Sequence, residues 1–129
     1  MKKRILLLDD EMDFVDLMKA TLELTGEYEV RTTVRPSTFL QVAQDFRPDL
    51  IILDCMMPGL DGGEIAGQIQ ADPALRETPF MFLTATADGV EQRESRCYAG
   101  TQTYVPKTMG LDDLFQLIKS RLAETSKAS

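Results

Sequence analysis

Unbroken apolar runs alternate along this chain with stretches in which apolar residues recur at roughly helical spacing. Ile5–Leu8, Leu50–Leu53 and Phe80–Leu83 are apolar throughout, the pattern of strands covered on both faces in a parallel sheet. Tyr28–Val34 instead alternates outward charge with inward Val30 and Thr32, as an edge strand does, and Thr103–Val105 predicts a short last strand. Helical spacing predicts Glu11–Leu24, with Phe14, Val15, Met18 and Leu22 on one face and Gly26 as its stop. It also predicts Pro36–Phe46, with Phe39, Leu40, Val42 and Ala43 inward, and the shorter Gly63–Ala71. Asp88–Ala99 reads as a polar, weakly amphipathic helix ending at Gly100. Leu111–Leu122 carries a wide stripe of Leu111, Leu114, Phe115, Leu117, Ile118 and Leu122. Strands alternating with helices in this way predict an α/β fold, a parallel sheet with helices on both faces. Residues 1–124 make one domain, and 125–129 read as a polar C-terminal tail, frayed in solution.

The ends of the apolar runs carry the chemistry. Leu53 is followed by Asp54, and Pro58, Gly59 and Gly62 then force a turn. Leu8 is followed by Asp9, Asp10 and Glu11. Open α/β sheets place their sites at the carboxyl edge, so two core strands deliver several acids to one place. Crowded carboxylates favour a shared proton or a hard divalent cation, and the cation reading suits phosphoryl transfer. Thr84, after Met81-Phe82-Leu83, adds a hydroxyl donor, and Lys107, after Tyr104-Val105-Pro106, a compact positive charge.

Charge and cysteine content narrow the classes. The net charge of −7 argues against a nucleic-acid footprint, which needs a basic face. No apolar stretch approaches the roughly 18 residues that span a bilayer, and Asp9 and Asp10 cut the first run too early for a secretory leader. Cys55 and Cys97 lack a metal-ligand spacing and read as free thiols, so a cytoplasmic location is expected. No Gly-Lys-Ser/Thr phosphate loop accompanies the turn glycines, and with no His the chain cannot relay a phosphoryl group through its own histidine.

Taken in order, Asp9-Asp10, Asp54, Thr84-Ala85 and Lys107 resemble the set of a response-regulator receiver domain of two-component signalling, over essentially the entire chain. The resemblance implies a flavodoxin-like fold with strand order 2-1-3-4-5. It implies that Asp54 accepts a phosphoryl group from a sensor histidine kinase or phosphotransfer protein. It further implies that Asp10 and Asp54 ligate Mg2+ directly (Mn2+ being an alternative), with the backbone carbonyl of Met56, and that Asp9 acts through water. Thr84 and Tyr104 would be the switch residues. They would reshape the face of the Asp88–Ala99 helix, the last strand and the last helix, where an output partner or a second copy docks. Receivers of this kind usually follow the lysine with proline; Thr108 stands there instead, and a trans Lys107–Thr108 bond is expected.

Blander readings exist for each part. Asp9, Asp10 and Glu11 could merely favour a helix start, and Asp54 could be a turn-former. A phosphorylation-independent interaction module on the same fold is the alternative function, and the complete acid, threonine and lysine set counts against it. A true hydrolase would need a second acid two residues beyond Asp54, where Met56 stands.

Overall fold

Five parallel strands, Lys3–Leu8 (β1), Tyr28–Thr33 (β2), Leu50–Asp54 (β3), Phe80–Thr84 (β4) and Thr103–Pro106 (β5), form one sheet in the order β2-β1-β3-β4-β5. This computed structural model describes residues 2–54, 62–84, 103–106 and 110–128. The strand order is the flavodoxin-like one that the resemblance implies. Helices Met12–Leu24 (α1), Pro36–Phe46 (α2) and Gly62–Ala71 (α3) and a last helix, Leu111–Ala128, connect and cover the sheet. The Asp88–Ala99 segment and the Lys107–Thr108 bond lie outside the described residues.

Why the apolar runs become central strands is visible in where their side chains go. Leu6 and Leu8 of β1, Ile51 and Leu53 of β3 and Phe80 and Phe82 of β4 pack against α2 and α3, in a core with Phe39, Ala43, Phe46, Ile65 and Ile69. Their neighbours Ile5, Leu7, Leu50, Ile52, Met81 and Leu83 point the other way, onto Val15, Met18 and Leu22 of α1 and Leu114, Ile118 and Leu122 of the last helix. Each strand thus feeds two cores by its period-two alternation, which is why it cannot afford a polar residue on either side. Each such Leu or Ile contributes about 1.5–3 kcal/mol when fully buried.

The helix ends follow local chemistry. α1 stops where Gly26, at φ 76°, donates its N–H to the Glu23 carbonyl at 3.1 Å. α2 begins at Pro36 and ends at Arg47, which takes the left-handed conformation at φ 54° and donates its N–H to the Ala43 carbonyl at 2.9 Å. Two expectations change. Glu11 is not the first helical residue but the extended N-cap of α1, at φ −84° and ψ 95°. The last helix does not stop at Leu122; it runs on to Ala128. No Gly or Pro interrupts Ala-Glu-Thr-Ser-Lys-Ala after Leu122, so nothing in that segment breaks a helix already nucleated on the sheet.

Candidate functional site

β1 and β3 lie side by side with Leu8 opposite Leu53, so Asp9 and Asp54 come next along two adjoining strands. Alternation decides which face they take. Ile5 and Leu7, like Leu50 and Ile52, face α1 and the last helix, and two residues further on the same parity sends Asp9 and Asp54 that way. Asp9 is fully buried and Asp54 is 3% exposed.

Asp9 is fixed from two sides. Its N–H donates to the Thr33 carbonyl of β2 at 3.3 Å, and its Oδ1 accepts the Glu11 N–H at 3.0 Å. This bridge folds the chain where it enters α1. Carboxylate oxygens of Asp9, Glu11 and Asp54 consequently lie within 4.8 Å of one another. Asp10, between two members of that group, is exposed.

Two carboxylates at such a separation repel by roughly 3 kcal/mol at an effective dielectric near 20. The group offers oxygen donors only, which suits a hard divalent cation. Cis oxygens on one octahedral Mg2+ at about 2.1 Å are about 3.0 Å apart, so these acids would draw somewhat closer together to share a single ion. The donor set fits Mg2+.

The other expected residues are placed in part. Thr84 ends β4, the strand in which Leu83 pairs with Asp54, and Thr84 itself pairs with Pro106, the residue before Lys107. Tyr104 pairs with Phe82 in β5. The side chains of Thr84 and Tyr104, and all of Met56 and Lys107, lie outside what is described. Glu11, which the sequence offered only as one of the acids following the first run, is the third member of the group. A surface groove of about 520 Å3, bordered by Lys2, Lys3, Tyr28 and Lys119, sits by the amino ends of β1 and β2, opposite the acids. Among the described residues no helix is long and apolar enough to cross a membrane.

Residues 5–119 match the family model described as the response regulator receiver domain. The response regulator PleD of Caulobacter vibrioides is 36% identical over 121 residues, which span 93% of this chain and 26% of PleD. The chain thus corresponds to about a quarter of that relative's length. Among solved structures, the receiver domain of a sensor histidine kinase from Pseudomonas aeruginosa, with a magnesium ion coordinated in its active-site cleft, superposes with a TM-score of 0.83 at 26% identity, covering 95% of this chain and 99% of that one. The response regulator TrrA of Thermotoga maritima, solved in complex with Mg2+ and BeF, gives a TM-score of 0.74 at 31% identity, covering 92% and 98%.

Proposed function

This chain belongs to the response regulator receiver domains, and from that premise we propose that it is a signalling switch set by Mg2+-dependent phosphorylation of Asp54. The observation that carries the reading is a buried Asp54 beside a buried Asp9 at the ends of adjoining strands, with a third carboxylate, from Glu11, drawn in. The Pseudomonas and Thermotoga relatives, each solved with magnesium, support the metal.

Phosphoryl transfer asks a protein chiefly for positioning and for stabilisation of charge. Asp54, ionised, attacks the phosphorus of a phosphohistidine. Its new O–P bond forms as the histidine N–P bond breaks, and the released imidazole nitrogen takes up a proton. The β3 backbone, paired on both sides, holds the Asp54 carboxylate in line while this happens. Asp9, Asp10 and Asp54, with the Met56 backbone carbonyl, would hold Mg2+ (or Mn2+), whose bound charge neutralises the phosphoryl oxygens. Thr84 and Lys107 donate to the remaining oxygens. Thr84 then draws toward the phosphoryl group and Tyr104 turns in behind it, altering the face of the Asp88–Ala99 segment, β5 and the last helix. That face meets the output partner or a second copy of the chain. The donor is a sensor histidine kinase or a phosphotransfer protein in the cytoplasm. The domain catalyses its own phosphorylation and a slow dephosphorylation, because Met56 has no group with which to orient an attacking water.

Incubation with acetyl phosphate and Mg2+ should add a single phosphoryl group by intact mass. Chelating the metal or substituting Asp54→Asn should abolish it. A full adduct on the Asp54→Asn protein would move the acceptor elsewhere, and no adduct on the unaltered protein would favour the phosphorylation-independent module.

A further inference from the structure

We propose that the groove at the amino ends of β1 and β2 binds a small organic anion, a phosphate or carboxylate on a flat apolar body, through Lys2 and Lys119. The groove measures about 520 Å3, inside the range of roughly 300–1,000 Å3 that small-molecule sites occupy. Lys2 at the entry to β1, Gly26 in the turn between α1 and β2, and Lys119 on the last helix all border it. The turn is fixed by its own bonds. Thr25 Oγ1 accepts the Glu27 N–H at 3.2 Å, and the Glu27 carbonyl accepts the Lys3 N–H at 3.1 Å. That wall is therefore formed before any ligand arrives, which lowers the cost of binding.

Two kinds of surface meet there. Tyr28 and Leu122 belong to the core on the α1 side of the sheet and also border the groove, so they offer it an aromatic ring and an aliphatic side chain. Gly26 brings no side chain, and a Cβ there would meet nothing within 4 Å, which leaves that side open. Charge is reversed locally: the chain carries −7 overall, yet three lysines border the groove against one acid, Glu27. Lys2 and Lys119 are exposed, and each ammonium is a compact charge on a flexible stem, so both can close on one anionic head. Glu27 repels a second negative group, so a single head suits the groove better than a polyanion. An apolar body against Tyr28 and Leu122 with its head on the lysines matches the usual division of a small-molecule site.

The test is titration of 1-naphthyl phosphate into the full chain in EDTA, followed by backbone amide shifts in 15N NMR. Saturable shifts should appear at Gly26–Tyr28 and Lys119–Leu122. The Lys2→Gln, Lys119→Gln double variant should bind at least about tenfold more weakly. Lys19→Gln removes an exposed charge outside the groove and should leave the affinity unchanged. Neutral 1-naphthol, without the head, and inorganic phosphate, without the apolar body, should each bind at least about tenfold more weakly. Absence of saturable shifts, shifts confined to other segments, or undiminished binding in the double variant overturns the site. Equal weakening by Lys19→Gln reduces the effect to net charge, and equal affinity for 1-naphthol overturns the anionic class of ligand.

Discussion

Gln44 of α2 donates from Nε2 to Asp72 Oδ2 at 2.6 Å, tying α2 to the turn that follows α3. The other carboxylate oxygen of Asp72 accepts the Ala74 N–H at 2.8 Å, and its carbonyl accepts the Leu75 and Arg76 N–H groups at 3.0 and 2.9 Å. One short polar turn thereby sets Leu75 into the core beside Phe39, Ile69 and Phe80, at the approach to β4.

The Gln44 bond, then the Ala74 N–H, hold the Asp72 carboxyl below its ordinary range against a small opposing effect of burial. The folded pKa is therefore the lower one. The resulting stabilisation is complete above the ordinary value near 4 and is lost as pH falls from there through the lowered one. Asp72→Asn should be less stable than the unaltered protein at about pH 6, and the gap should narrow by about pH 2.5. Urea midpoints across that range decide it; a gap independent of pH would show that Asp72 contributes nothing through its charge.

At the alkaline end Tyr28 acts with the opposite sign. Burial first, and Glu27 second, push its phenol above the ordinary value of 10.0. The folded state thus keeps a proton that the unfolded chain has released. Stability is intact below about pH 10 and declines as pH rises through the raised folded value. Phenolate absorbance should show one of the three tyrosines titrating late, and Tyr28→Phe should remove both that step and part of the alkaline decline. Ordinary titration of all three would contradict the burial argument.

Two glycines should respond oppositely to alanine. Gly67 is exposed within α3 and an added Cβ meets nothing within 4 Å. Gly67→Ala should stabilise by about 0.4–1 kcal/mol, by restricting the unfolded chain and favouring the helix. Gly26 has equal room but sits at φ 76°. Gly26→Ala should therefore cost about 1–2 kcal/mol. Chemical denaturation of both variants compares backbone strain with empty space directly; destabilisation at Gly67 would mean that the α3 surface is constrained by something other than helix propensity.

Asp9→Asn should raise the stability of the metal-free domain by about 1–3 kcal/mol. It removes one of two buried, mutually repelling carboxylates and keeps an oxygen for the Glu11 N–H. With saturating Mg2+ the advantage should shrink or reverse, since the ion binds the native acid more tightly. Thermal melts in EDTA and in MgCl2 give both comparisons. A variant less stable under metal-free conditions would show that the hydrogen bonds of the native carboxylate outweigh its repulsion from Asp54.

What the sequence alone determined is what depends on neighbours in the chain. Ile5–Leu8 and Leu50–Leu53 read as doubly covered strands, and the spacing of Val15, Met18 and Leu22 or of Leu114, Ile118 and Leu122 as amphipathic helices. Asp9 and Asp54 at the carboxyl edge follow from those runs. The strand order came through resemblance to a family, since no local pattern says which strand lies beside which. Tertiary structure decided the register that sets Leu8 opposite Leu53, and with it that Asp9 and Asp54 end together. It also decided that Glu11 joins them and Asp10 stays exposed. The reason is physical: the distance between carboxylates on different strands depends on pairing and on the turn into α1. A shift of one residue in that pairing would send an acid to the opposite face while leaving every local pattern unchanged.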